Sequence, residues 1–373
     1  MRKMKIIVLI ILMFAMMIPL NDDIKSCYAN SYKSMCVISQ FGDILNETNK
    51  DERLAMASTT KIITAIVAIE NCDNLDEEIV VDDSCVGIEG TSIYLRKNEK
   101  MSIRNLLYGL ILASGNDAAV AIACAVGGTQ EKFVYMMNDF VYSLNLKNTQ
   151  LKNPHGLDQN GHYTSAYDLA VITNYALDNP EFRKIVSTKN YILNEGQDNV
   201  RYLKNKNKLL FSQEGCVGVK TGFTDNAGRC LVNACERDGL RVVSVVFNCR
   251  PMFEECDRLT ELAYEEYEYK TLIEPYSYIS TIQVVDGDKD VASVVTIKGY
   301  SKVIKKSELQ MYDIVYDIPD IITAPIDATT KVGKVKVLYN NEVVFEDDLY
   351  STSEINNINI KHKLDYIIQN WFI

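Results

Sequence analysis

Three patterns of apolar and polar positions succeed one another along the chain. Near the N-terminus, residues Ile6 to Leu20 (IIVLIILMFAMMIPL) are continuously apolar behind the basic stretch MRKMK. From Asn30 to about Leu272, strand and helix periodicities follow in turn. SMCVISQFGDILNETN predicts a strand, a Gly-Asp turn and a second strand. AMASTTKIITAIVAIE, Ala55 to Glu70, predicts a helix apolar nearly all round, hence buried. SIRNLLYGLILASGNDAAVAIACAVGG is helical but interrupted at Ser114 to Asn116. TQEKFVYMMNDFVYSLNL predicts a Thr-capped amphipathic helix, and TSAYDLAVITNYALDNPEF another, ended by Asn-Pro. GCVGVKTGFT, GRCLVNACE and LRVVSVVFN predict a meander with a hairpin at Asp238-Gly239, and RLTELAYEEYEYKTL a closing helix. Helices followed by a meander predict an α+β domain over 30–272. Past Ile273 short strands and turns predict a small all-β, β-sandwich-like domain over 273–355.

The ends carry two further expectations. A basic start and about 15 apolar residues fit a signal-peptide core and are short for a membrane span. Cys27 and Ala29 in SCYANS stand at the −3 and −1 positions of a small-residue cleavage site. A signal peptide over 1–29, cleaved after Ala29, is the expectation, with an uncleaved anchor as the alternative. Either way the body of the protein is exported. In NIKHKLDYIIQNWFI, Ile360, Leu364, Ile367, Ile368, Trp371 and Phe372 form one apolar stripe at helical spacing. That predicts an amphipathic tail over 358–373, lying on the outer face of the membrane or packed on the β domain as a final core helix. As a helix, residues 359–373 would be roughly 22 Å long, too short for a bilayer core of about 30 Å.

Composition narrows the function classes. The chain of 373 residues suffices for two or more domains, and a net charge of −11 without a dense Lys/Arg block argues against nucleic-acid binding. Of ten cysteines, nine would remain after cleavage, an odd number that cannot all pair within one chain. No C-x-x-C or zinc-like spacing occurs, and Cys230, Cys235 and Cys249 lie in apolar strands. Most are expected to be buried thiols.

Candidate chemistry begins at Ser58 and Lys61, one turn apart on the apolar helix. One reading makes Ser58 an N-cap and sends Lys61 to water. The other makes Ser58 a nucleophile and Lys61 its base, since a buried lysine beside another cation is pushed toward its neutral form. Two further short motifs follow in order. Ser114-Gly115-Asn116 interrupts helical sequence, and Lys220-Thr221-Gly222 ends a strand. Ser114 is suited to relay a proton to a leaving group, and Asn116 to hold a substrate amide and orient Lys61. Lys220 supplies positive charge. Its strand offers backbone for an extended peptide, and Thr221 can bind a terminal carboxylate. An oxyanion hole needs two backbone N–H groups, for which Ser58 and Phe223 are the candidates.

S-x-x-K, S-x-N and K-T-G in this order are the motif set of penicillin-recognising serine acyltransferases. With RLAMASTTKIITA, LILASGNDAAVAIA, NPHGLDQNGHYTSAYDLA and GVKTGFTDNAGRCLV around them, the chain resembles the serine D-alanyl-D-alanine carboxypeptidases of peptidase family S11, the low-molecular-mass penicillin-binding proteins. The resemblance covers nearly all of 30–272 and extends to the following β domain. It implies a penicillin-binding, β-lactamase-like transpeptidase fold and an acyl-enzyme on Ser58 that removes the terminal D-alanine from peptidoglycan pentapeptides. It also implies covalent inhibition by β-lactams, an extracytoplasmic site of action at the membrane or cell wall, and no metal or organic cofactor. Ser58, Lys61, Ser114, Asn116, Lys220, Thr221 and Gly222 fall on the family's active-site positions. Arg250 offers a carboxylate partner, while Glu255 stands where some members carry a second arginine. His155 and His162 are expected to be structural, bonded to backbone in turns.

Other functions use the same scaffold. A class A β-lactamase uses a glutamate for deacylation, usually within E-x-x-N. Glu131, Glu181, Glu195 and Glu214 lie between Asn116 and Lys220, and none has Asn three residues on. A D-amino-acid esterase or amidase stays open. A non-catalytic wall-peptide or penicillin-binding module would have no use for Ser58, Lys61 and Lys220.

Overall fold

The computed structural model describes residues 31–194 and 199–358, and Leu364, Ile367, Ile368 and Trp371 beyond them. The expected signal peptide and the rest of the tail lie outside the described residues. Two compact units divide the chain. One holds residues through Arg237 and Arg241–Ala263; the other holds Asp238–Leu240 and everything from Tyr264 on.

In the first unit, β1 (Ser34–Ser39) and β2 (Ile44–Thr48) form the expected hairpin. A 3-10 turn, Ala57–Thr60, leads into α1 (Lys61–Glu70), buried from Lys61 to Ala68. After β3 (Glu78–Val80) and β4 (Lys100–Ser102) comes α2 (Ile103–Tyr108), capped by Ser102 Oγ accepting from Asn105 N. One π-helical turn, Gly109–Ala113, carries α2 to Ser114, which adopts φ 66°, and α3 (Asn116–Gly127) starts there. The expected break at Ser114 is therefore a left-handed residue between two helices. Next come α4 (Gln130–Ser143), capped by Thr129, and α5 (Ala166–Leu177), capped by Ser165. Asn-Pro does end α5, and Asn179 also caps α6 (Pro180–Ser187), with Pro180 in its first turn.

A small hairpin, β5 (Asn190–Leu193) and β6 (Arg201–Lys204), and the short α7 (Leu209–Ser212) precede the meander β7 (Cys216–Thr224), β8 (Gly228–Arg237) and β9 (Leu240–Phe247). The sheet runs in the order β2-β1-β9-β8-β7. β1 and β9 are buried at every position, which is why their sequences show no polar face. β7 is at the edge, so one side of its backbone is free to pair with an extended ligand.

The closing helix differs from expectation. α8 (Met252–Glu266) stops at Glu266, and Tyr267–Ile273 forms β10, paired antiparallel with Tyr300–Lys305 in the second unit. Aromatic and β-branched residues in YEYKTLI suit a strand once a partner is present, and that partner is distant in sequence. The rest of the second unit is a six-stranded sheet over a core that includes Ile282, Val294, Val335, Val337 and Leu349.

All nine described cysteines are free thiols, as the strand pattern suggested. No helix among the described residues is long and apolar enough to cross a membrane. Leu364, Ile367, Ile368 and Trp371 are helical and 52%, 54%, 50% and 86% exposed, so these four do not serve as a core face of the all-β unit.

Candidate active site

Ser58 sits in the 3-10 turn ahead of α1, behind Ala57, whose φ of 49° is unusual for a residue with a side chain. Ala57, just before Ser58, and Ser114 itself both have left-handed backbone, a conformation that persists where the surrounding structure holds it. Thr59 and Thr60 brace the turn, their hydroxyls donating to Met56 O at 2.6 Å and Ala57 O at 2.8 Å.

Lys61 is fully buried. Its Nζ donates to Ser58 Oγ at 2.9 Å, Asn116 Oδ1 at 2.7 Å and the carbonyl oxygen of His155 at 2.6 Å. The reading that sent Lys61 to water is thereby excluded. Burial, then the charges of Lys220 and Lys206, hold its pKa well below the ordinary lysine value. A neutral lysine has a lone pair for the Ser58 proton.

Asn116 orients that amine. Its Oδ1 takes the Lys61 bond while its Nδ2 donates to Glu89 O at 2.6 Å, leaving one amide N–H uncommitted. Lys220, also buried, donates to Thr221 O at 3.0 Å, and burial with the nearby Lys206 lowers its pKa to about 7. Ser114 is buried and lines the cleft, with no hydrogen bond to its Oγ among the described residues.

Gly222 explains why the last motif ends in glycine. A Cβ there would lie 3.0 Å from Met56 O and 3.2 Å from Ser58 N, so a side chain would push β7 and the Ser58 turn apart by a few tenths of an ångström. Ser58 and Phe223, the expected oxyanion pair, both line one cleft. The cleft encloses about 490 Å³ and is lined by Ser58, Ser114, Asn116, Thr221, Gly222 and Phe223 among others. Seven of the sequence candidates thus converge, counting Lys61 through its bond to Ser58. Arg250 does not join them: it is exposed and outside the lining. Glu255 is buried and paired with Arg258. Where α8 begins, the cleft is faced by Met252 and Phe253.

Both histidines are bonded to backbone. His155 Nδ1 accepts from Leu157 N at 3.2 Å, and His162 Nδ1 accepts from Lys152 N at 3.0 Å. Accepting at Nδ1 leaves the His162 proton on Nε2, 2.9 Å from Thr60 Oγ1, which in turn donates to Ala57 O. Burial lowers both imidazoles to about 4.

Two contributors were missed in the sequence. The His155 carbonyl is a backbone atom, which no residue type announces. Asp117 is fully buried; its carboxylate accepts from Ser92 Oγ at 2.6 Å, Ile93 N at 3.0 Å and Leu95 N at 3.0 Å. It pins the segment that carries Gly90 and Thr91 to the cleft wall, where Asn116 N donates to Thr91 O at 2.7 Å. Its place directly after Asn116 was the available signal.

A serine bonded to a buried lysine, beside the free edge of a strand, is an arrangement suited to serine acyl transfer. Residues 24–250 match the family model described as D-alanyl-D-alanine carboxypeptidase, and residues 267–357 match the penicillin-binding protein 5 C-terminal domain. The chain is 31% identical over 353 residues to the Bacillus subtilis D-alanyl-D-alanine carboxypeptidase DacF, covering 92% of this chain and 90% of that protein. It is 30% identical to Escherichia coli DacD, covering 87% and 86%. Among solved structures, penicillin-binding protein 5 of Haemophilus influenzae aligns with a TM-score of 0.67 at 27% identity, over 88% of this chain and 98% of that one. The chain belongs to the D-alanyl-D-alanine carboxypeptidase family of serine peptidases. Its β-lactamase, esterase and non-catalytic alternatives are not favoured by these matches.

Proposed function

We propose that Ser58 is the acylated nucleophile of a carboxypeptidase that trims the terminal D-alanine from peptidoglycan pentapeptides. The observation that carries this reading is the 2.9 Å bond between Lys61 Nζ and Ser58 Oγ, made by a lysine with no exposure to water.

Pentapeptide pairs along the edge of β7 and presents its last amide carbonyl to the N–H groups of Ser58 and Phe223. Ser58 Oγ attacks the carbonyl carbon, and its proton passes to the neutral Lys61. The tetrahedral intermediate collapses as the leaving nitrogen of D-alanine takes a proton through Ser114, breaking the C–N bond. Water then attacks the ester, with the same amine as base, and frees Ser58. Lys220 supports the negative charge that develops, and Asn116 keeps Lys61 aimed. β-Lactams would acylate Ser58 by the same attack. Family members act on wall peptidoglycan outside the cytoplasm. The N-terminal signal pattern supports export, and the exposed apolar residues Leu364, Ile367, Ile368 and Trp371 support attachment to the outer face of the cytoplasmic membrane.

The test is incubation with a D-Ala-D-Ala pentapeptide and mass analysis of the product. Loss of one alanine is expected from the wild type and not from Ser58→Ala. An unchanged pentapeptide would refute the reading.

A further inference from the structure

The cleft carries more positive charge than the acyl-transfer residues themselves supply. Its described lining contains Lys206, Lys208 and Arg229 and no carboxylate, in a protein of net charge −11. An electropositive cleft in an acidic protein selects an anionic group on its ligand. Of the three cations, Lys206 is exposed, but desolvation against the cleft wall lowers its pKa. Lys208 lies over the Phe253 ring, 5.4 Å from its centroid.

Arg229 is placed differently. It stands directly opposite Phe223 in the β7–β8 register, and its guanidinium lies over the Phe223 ring, 5.5 Å from the centroid. It has no ion pair among the described residues. A guanidinium kept beside the proposed oxyanion donor, on an aromatic face and without a counter-ion, is set up to take a carboxylate bidentately.

We infer that Arg229 is the specificity-determining cation that recognises the free carboxylate of the substrate's C-terminal residue. This rests on the carboxypeptidase reading above. The strand register is consistent with it. The terminal residue lies one Cα spacing, about 3.8 Å, beyond the scissile unit, and Arg229 is one cross-strand step from Phe223. Thr221, two residues back on β7, can supply a hydroxyl to the same carboxylate. The start of α8 offers Met252 and Phe253 to the cleft in place of a cation, so the charge comes from β8. In this chain, then, the residue that distinguishes a chain end from an internal peptide bond is carried on the strand beside the K-T-G strand, and Arg250 takes no part.

The test compares two substrates on the full chain: an acyl-D-Ala-D-Ala peptide with a free C-terminal carboxylate, and the same peptide as its C-terminal amide. A lost charge-assisted contact is worth about 10- to 100-fold. Wild type is expected to prefer the acid in kcat/KM. Arg229→Gln should reduce kcat/KM on the acid about 10- to 100-fold, chiefly through KM, and collapse the acid-to-amide ratio toward one. Arg229→Lys should restore part of the ratio. Arg229 is exposed, so the variants should fold. An acid-to-amide ratio in Arg229→Gln equal to that of wild type would overturn the inference, as would an equal loss on both substrates. Failure of the carboxypeptidase reading looks different: the wild type itself would release no D-alanine from the acid.

Discussion

Lys61 and Ser58 are joined by a 2.9 Å hydrogen bond in which a lysine sealed from water points its amine at an adjacent hydroxyl. Three acceptors surround that amine, one of them a main-chain carbonyl. The arrangement fixes the direction of the Lys61 lone pair once the proton is lost, and it leads to the first expectations.

Ser58→Ala should abolish labelling by a fluorescent penicillin while leaving the fold intact, since the side chain lost is small. Losses for removal of a nucleophile are on the order of 10³–10⁶ in kcat. Labelling of folded Ser58→Ala at the wild-type rate would show another residue to be acylated.

Lys61→Arg should be as inactive as Ser58→Ala, because a guanidinium keeps its proton at any working pH. Lys220→Arg should retain measurable acylation, since charge is kept. The pH dependence follows from the lowered Lys61 pKa: acylation should fall on the acid side as the amine gains a proton, with no need for strongly alkaline conditions to generate the neutral form. Stopped-flow acylation across pH 5 to about 9 reads both effects. Retained activity in Lys61→Arg with loss in Lys220→Arg would reverse the two roles.

Asp117→Asn should raise KM more than it lowers the fraction of folded protein. The buried carboxylate organises Ser92, Ile93 and Leu95, and an amide presents a donor where an acceptor is required. Removing one partner of a buried charged hydrogen bond costs about 1–3 kcal/mol. Urea titration and steady-state kinetics on the same sample give the two quantities, and wild-type values for both would remove Asp117 from the support of the site.

His162 makes the fold acid-sensitive in a defined window. Its pKa is about 4 in the folded protein against an ordinary 6.5. Between these values the unfolded chain binds more protons, so stability falls as pH drops from 6.5 toward 4 and levels off below. A shift of that size corresponds to roughly 3 kcal/mol. Protonation of Nδ1 also removes the acceptor for Lys152 N. His155, lowered similarly, adds to the slope. Urea midpoints at several pH values should show a shallower dependence in His162→Asn than in wild type; an equal slope would assign the acid sensitivity to other groups.

The tail should bind anionic vesicles. Liposome flotation of the protein lacking residues 1–29, with and without residues 358–373, should show loss of binding on truncation with unchanged penicillin acylation. Equal flotation would detach the membrane role from this segment.

The sequence by itself determined where the candidate site residues lie along the chain. S-x-x-K at the start of an apolar helix, S-x-N at a helix break and K-T-G on a strand are local patterns. Periodicity, capping and turn residues place them without reference to the rest of the chain. The same local logic located the β1–β2 and β8–β9 hairpins and the all-β character past Ile273. Tertiary structure decided what those elements face. The burial of Lys61, the His155 carbonyl at its amine and the approach of Gly222 to Ser58 depend on segments up to more than a hundred residues apart. The end of α8 at Glu266 was settled by a strand partner at Tyr300–Lys305. The sequence candidate Arg250 follows β9 at the surface, while Arg229 faces the cleft because β8 pairs with β7 in the register that sets it against Phe223. Side-chain direction across a sheet is a property of pairing, and pairing is non-local.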